Sequence, residues 1–253
     1  MTSLATVAER ALPLVDLTDL TDSCSEAAVA ELCRRAVTPH GSVAAICIYP
    51  RFVAFAKPLL AGTGVKIATV VNFPAGGTDT DAVVKETEAV VAAGADEVDL
   101  VMPYQAFADG YHATAEDQIR RVKAAAIPAR LKVILETGKL VAPELIRAAA
   151  DLALACGADF IKTSTGKVEV NATPEAARIM LEAIKASGST AGFKAAGGVR
   201  TTAEAAQYLK LADEILGERW VGPNTFRFGA SGLLGDLIAS IEGTAAAKPA
   251  AAY

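Results

Sequence analysis

Histidine is almost missing from this chain. There are only two, His40 and His112, and neither sits in an HxxH or HxxE spacing. A His-based metal centre is therefore not expected, and no metal or cofactor is assigned. The four cysteines, Cys24, Cys33, Cys47 and Cys156, form no CxxC pair. Scattered thiols of this kind fit a reducing, cytoplasmic setting rather than a disulfide framework. Aromatic residues make up 6% of the chain against 52% hydrophobic residues in all, so the core must be built from small aliphatic side chains. No apolar run reaches the roughly 18 residues of a membrane span. The opening MTSLATVAER has no basic region followed by an apolar block, so no signal peptide and no membrane partner are expected. Basic residues are also short, 24 Lys and Arg against 29 Asp and Glu, for a net charge of −5. That balance argues against nucleic acid as a partner. It leaves room for a small phosphorylated ligand, which needs only a few local donors.

Alternation fills the space those absences leave. Apolar, β-branched runs at 14–17, 43–49, 65–71, 95–102, 131–137, 158–164, 191–196 and 226–230 predict strands. Amphipathic stretches at 25–37, 51–61, 79–92, 115–126, 143–155, 174–186, 202–216 and 232–242 predict helices between and after them. Local signals agree. Thr173-Pro174 reads as an N-cap with proline in the first turn, and Thr201-Thr202-Ala203-Glu204 fits a capping box. Gly94-Ala95-Asp96 and Gly157-Ala158-Asp159 are matching helix-to-strand turns. Eight strand–helix units point to an α/β chain folded as a single (β/α)8 TIM barrel over 1–243, with an extra N-terminal helix. The tail at 244–253, TAAAKPAAAY, reads as a flexible C-terminal segment. Two alternatives stay open at this point. ADEILG at 212–217 could be a strand in place of 14–17, or the sheet could be open and doubly wound, although no GxGxxG follows the first strand.

Charges then stand out on strands that otherwise look buried. Period-two alternation groups Phe160, Lys162 and Ser164 on one face, and Gly192, Lys194 and Ala196 on another strand. It likewise groups Glu97, Asp99 and Val101, then Lys132, Ile134 and Glu136, with Asp16 and Thr18 at the end of the first strand. The expected centre is a cluster of Lys132, Lys162, Lys194, Asp99 and Asp16. A lone lysine near a strand end is more often a snorkelling or structural residue. Two lysines in similar late-strand contexts, each before small residues, favour chemistry. Burial and a neighbouring cation both disfavour an ammonium, and a neutral amine can attack a carbonyl to form a Schiff base. One lysine would be the nucleophile and the other would keep it unprotonated, with a carboxylate, best Asp99, moving protons.

Glycine-rich turns suggest an anion. Gly197-Gly198-Val199-Arg200 follows the seventh strand, and Gly229-Ala230-Ser231-Gly232 follows the eighth and opens a helix. Backbone N–H groups and a helix N-terminus can hold phosphate there, with Gly166 and Lys167 adding donors from the neighbouring loop.

The segments DLTDL (16–20), AAICIYPRF (44–52), VVNFPAGGTDTD (70–81), GADEVDLVMPY (94–104), LKVILETG (131–138), GADFIKTSTGKVEVNATPEAARIM (157–180), GFKAAGGVRT (192–201) and RFGASGLL (227–234) together resemble the deoxyribose-phosphate aldolase family of class I aldolases. The resemblance covers almost the whole chain. It implies a metal-free, cofactor-free lyase that cleaves 2-deoxy-D-ribose 5-phosphate to D-glyceraldehyde 3-phosphate and acetaldehyde. Carried over, it makes Lys162 the imine-forming residue. Asp99 and Lys194 become its proton-relay and pKa-tuning partners, and Lys132 supports Asp99. Gly166, Lys167, Gly197, Gly198, Val199, Arg200, Gly229 and Ser231 match the family's phosphate-binding positions, and Thr18, Cys47 and Thr165 would line the pocket. Members of one branch end in a tyrosine that reaches the site, and this chain ends at Tyr253. Two positions depart from the pattern: Ala195 stands where proline is frequent, and Gly232 where serine is common. Small aldolases of this kind are often a homodimer or tetramer. Another class I aldolase and a non-catalytic sugar-phosphate binder are the competing readings.

Overall fold

The computed structural model describes residues 3–244. Eight parallel strands close into a barrel in which every strand pairs with its neighbour in sequence and the last pairs with the first. They are β1 Val15–Asp19, β2 Ala45–Ile48, β3 Lys66–Val71, β4 Glu97–Val101, β5 Arg130–Ile134, β6 Phe160–Lys162, β7 Gly192–Ala196 and β8 Phe226–Ala230. A closed parallel barrel is buried on both faces, which explains the near-continuous apolar runs. The open-sheet alternative is thereby excluded. Residues 212–216 belong to the helix Thr202–Leu216, so the strand count that includes β1 holds.

The capping signals act as read. Thr173 accepts the N–H of Ala176, and Thr201 and Glu204 form a reciprocal capping box. Gly94 and Gly157 turn the chain from helix into strand at φ 102° and 85°. The extra helix, Leu4–Ala11, lies against the helices Thr202–Leu216 and Leu233–Glu242. A two-pronged ion pair from Arg10 to Asp213, at 2.6 and 2.5 Å, holds it there. No helix among the described residues is long and apolar enough to cross a membrane. Most of the expected tail, and with it Tyr253, lies outside the described residues.

Two strands end two or more residues before their apolar runs do. β6 ends at Lys162, and Thr163 beyond it stays tied to β7: its N–H donates to Lys194 O, and its hydroxyl donates to Ala196 O and accepts from Ala196 N. β5 ends at Ile134. The strand predicted through 137 instead turns at Glu136, which takes left-handed backbone angles (φ 56°, ψ 58°) and leads into a one-turn helix, Thr137–Leu140. Glu136 is therefore not a further inward step of the strand that carries Lys132.

Register decides what the barrel mouth contains. Lys162 of β6 is level with Lys194 of β7, Asp99 of β4 with Lys132 of β5, and Thr18 of β1 with Cys47 of β2. Paired residues on adjacent parallel strands share a face, about 4.8 Å apart. Closure aims these side chains at one another.

Candidate active site

Seven ionisable side chains meet inside the barrel, none with more than 3% of its surface exposed. At the floor, the Arg227 guanidinium bonds Asp16 Oδ1 at 2.5 Å and both Glu97 oxygens at 3.0 and 2.7 Å. Lys132 Nζ sits above it, 2.6 Å from Glu97, 2.9 Å from Asp99 Oδ1 and 3.4 Å from Asp16. Lys194 Nζ bridges Asp16 Oδ2 at 2.5 Å and Asp99 Oδ2 at 2.8 Å. Lys162 Nζ reaches the same Asp99 oxygen at 2.8 Å. Each amine is the same distance from one shared atom, so the two lie within twice that distance of each other.

Charge counting singles out Lys162. Three carboxylates face four cations. Lys132 pairs with three of the carboxylates, Lys194 with two and Lys162 with one. A buried cluster is most stable when its charges cancel, and the cation with the fewest partners is the one to lose its proton. The electrostatics agree. Burial pulls Lys162 below the ordinary lysine range; Asp99 opposes the shift and Lys194 adds to it. Burial also works against the charge on Lys194, yet Asp16 and Asp99 outweigh it and hold that ammonium well above the usual range. Asp99, although fully buried, is kept well below the carboxylate range by Lys132, Lys162 and Lys194. The site thus holds an amine biased toward its neutral form, an ammonium held charged and a carboxylate held ionised at rest, in mutual contact, an arrangement suited to attack on a carbonyl and to moving protons around it.

One side of this cluster is apolar. Leu20, Ala45, Cys47, Ala68 and Val70 form a small group of their own, with Tyr49 and Phe73 packed against it. Cys47 is fully buried, and burial raises its thiol. The Thr18 hydroxyl donates to Asp16 O at 2.8 Å, within β1. Leu20 O accepts from both Tyr49, at 2.9 Å, and Lys167 Nζ, at 2.7 Å, so the loops after β1, β2 and β6 are tied together.

Beside the lysines lies a cavity of roughly 210 Å³. Gly166, Gly197, Gly198, Val199, Arg200, Gly229 and Ser231 all line it, as do Glu169 and Asn171. Gly197 and Gly198 have φ of 80° and 90°, and a Cβ on Gly229 would come within 2.9 Å of the Lys194 side chain. Part of the cavity's wall, at Gly166, Gly198 and Gly229, is therefore backbone without side chains, and the helix Leu233–Glu242 begins just beyond Gly232 at its edge. Such a place suits a phosphate. Lys167, counted with this group from the sequence, is not among the lining residues. Thr165 borders the cavity through Gly166, with its own hydroxyl turned to Glu136 at 2.6 Å.

A larger cavity, roughly 670 Å³, opens at the other end of the barrel, among Lys66, Asp96, Arg130 and Arg227. Neither Lys162 nor Lys194 lines it, and its two deepest ionised groups, Arg227 and Glu97, are paired with each other. Among the described residues no group of three or more His, Cys, Asp or Glu is arranged to hold a metal ion.

Comparisons with known proteins meet this geometry from another side. The family model described as DeoC/LacD family aldolase matches residues 11–234. The deoxyribose-phosphate aldolase of Agrobacterium fabrum is 52% identical over 244 residues, covering 96% of this chain and 94% of its own. An apo-form crystal structure from Toxoplasma gondii ME49 superposes with a TM-score of 0.85 at 28% identity, covering 95% of this chain and 97% of that one. The tetrameric deoxyribose phosphate aldolase of Aeropyrum pernix gives 0.73 at 26% identity, over 94% and 92%.

Proposed function

The chain belongs to the DeoC/LacD family of aldolases and is a lyase, and from that premise we propose that it reversibly cleaves 2-deoxy-D-ribose 5-phosphate to D-glyceraldehyde 3-phosphate and acetaldehyde through a Schiff base on Lys162. The observation that carries this reading is the pair of amines on one Asp99 oxygen, Lys162 and Lys194, each at 2.8 Å.

Neutral Lys162 adds to C1 of the open-chain sugar; the carbinolamine hydroxyl then takes a proton from solvent through a water beside Asp99 and leaves as water, giving a protonated imine. The new positive charge arises beside Asp99, whose carboxylate already faces Lys162 Nζ. The imine withdraws electrons from C2. Once the C3 hydroxyl passes its proton through a water to Asp99, the C2–C3 bond breaks and D-glyceraldehyde 3-phosphate leaves. The remaining enamine takes a proton at C2, with Asp99 and a water as the relay, and hydrolysis returns the lysine and frees acetaldehyde. Lys194 stays charged throughout and keeps Lys162 from holding its proton between turnovers. The two-carbon fragment fits the apolar side formed by Leu20, Cys47 and Phe73. The phosphate fits the glycine-walled cavity, where binding energy remote from C1 fixes the reacting carbon against the amine.

Turnover assays test the reading. Deoxyribose 5-phosphate should be cleaved with kcat/KM at least about a hundredfold above that of fructose phosphates. Preference for a fructose phosphate would assign the same lysine chemistry to another sugar, and failure to turn over either would favour a sugar-phosphate binder.

A further inference from the structure

We infer that Glu136 is a positioning residue that sets the anion cavity through the loop that follows Lys162, an inference that rests on the reading of that cavity as the phosphate site. Its carboxylate is fully buried, and no lysine or arginine among the described residues forms an ion pair with it. It spends both oxygens on a single residue. Oε2 accepts the Thr165 hydroxyl at 2.6 Å, and Oε1 accepts the Thr165 N–H at 3.2 Å. Having donated its hydrogen to Glu136, the Thr165 hydroxyl is left as an acceptor, and it takes the N–H of Lys167 at 3.0 Å. This chain of bonds spans Gly166, which lines the cavity.

A buried carboxylate without an ion-pair partner is costly, and burial raises the Glu136 carboxyl above its ordinary range, although the Thr165 bonds and the charges of Lys162 and Lys139 oppose the shift. The residue also holds left-handed backbone angles that glutamate seldom adopts. Both costs fall at one place and yield one result, a fixed Thr165-Gly166-Lys167 turn. Two further contacts run the same way. Thr137 N donates to Thr163 O at 2.9 Å. A Cβ on Gly138 would lie 1.9 Å from Val170 O, so the backbone of this turn rests directly on the loop's far end. The next residue, Asn171, fills the space where Gly197 lacks a side chain. The turn after β5 therefore templates the loop after β6, and that loop forms one wall of the cavity. The Glu136 carboxylate bonds Thr165 and none of the barrel lysines, so its replacement should act on phosphate affinity.

Three measurements on the full-length enzyme test this. In Glu136→Gln, one acceptor oxygen becomes an NH2 donor, which opposes the Thr165 N–H or, if the amide flips, displaces the hydrogen of the Thr165 hydroxyl from its acceptor. KM for deoxyribose 5-phosphate should rise roughly tenfold with kcat within about twofold, and kcat/KM for unphosphorylated 2-deoxyribose should change by less than about twofold. Calorimetry with inorganic phosphate should show a similar, roughly tenfold loss of affinity. Thr165→Val, which keeps side-chain shape while cutting the link to both Glu136 and Lys167, should reproduce the effect, and adding Glu136→Gln to it should cost little more. Should Glu136→Gln fail to fold, Thr165→Val alone decides, since the same loss of phosphate affinity is expected there. Equal losses on both sugars with phosphate affinity unchanged would reduce Glu136 to a structural residue and overturn the inference. If wild type binds phosphate but does not cleave the sugar phosphate, the functional reading fails while the calorimetry still decides the role of Glu136. If wild type binds no phosphate, the anion site and this inference fall together.

Discussion

Replacing Lys194 with leucine should move the pH dependence of catalysis rather than merely lower the rate. Lys162 and Lys194 are both essentially buried and both 2.8 Å from Asp99 Oδ2. With their strands adjacent and level, the two amines sit about 5 Å apart. Two unit charges at about 5 Å, in a medium of effective dielectric about 20, repel by about 3 kcal/mol, or about two pKa units. Removing the Lys194 charge lifts that penalty, and Asp16 and Asp99 lose the cation they shared. Both changes raise the Lys162 pKa. The sign is fixed: the reactive form is neutral, so activity rises as pH climbs through the Lys162 pKa, and a higher pKa moves that limb to the alkaline side. The limb should shift by about two units, and kcat/KM near neutrality should fall by as much as about a hundredfold. The variant should still fold, because three carboxylates then face three cations once Lys162 takes up its proton. Lys194→Arg keeps the charge and should leave the limb near its wild-type position even where kcat drops. The assay is a kcat/KM profile from pH 5 to 10. A uniform loss of rate with the limb unmoved in Lys194→Leu would refute the tuning argument.

Other consequences follow from the same network. Arg227→Met leaves Asp16 and Glu97 short of a buried partner, and should destabilise the fold by about 3–5 kcal/mol, lowering the melting temperature by about 10 °C; a shift within error would mean that Lys132 alone balances the floor. Glu169 brings a carboxylate to the rim of the anion cavity, so Glu169→Gln should lower KM for the sugar phosphate by about twofold to threefold at low ionic strength and lose that advantage in salt. An unchanged KM at both ionic strengths would show that this carboxylate is not felt by the phosphate.

Legibility in the sequence followed regularity of the backbone. Strand alternation identified Lys132, Lys162, Lys194, Asp99 and Asp16 because β-strands have period two and a closed barrel gives all inward faces one destination. The same rule already grouped Glu97 with Asp99. Arg227 lies two residues before Gly229 on β8, so the alternation that turns Gly229 inward turns Arg227 inward as well. Leu20 and Phe73 gave no signal, since an apolar residue in a loop looks the same whether it packs on a core or on a site. Glu136 was expected on the inner face of β5 by alternation. It is buried, but through a left-handed turn that glutamate does not announce. The three-residue length of β6 was equally illegible, because KTST continues the β-branched pattern beyond the point where the strand ends. Lys167 reads as a phosphate donor from its place in the loop beside Gly166; that its amino group also bonds Leu20 O is set by tertiary packing and has no local signal.

Trapping the covalent intermediate is the most direct test. Sodium borohydride added to enzyme turning over deoxyribose 5-phosphate should reduce the imine, inactivate the enzyme and leave a stable two-carbon or pentose-phosphate adduct on the peptide that carries Lys162. Inactivation without an adduct, or an adduct mapped to Lys194, Lys132 or Lys167, would contradict the assignment of Lys162 as the amine that captures the aldehyde.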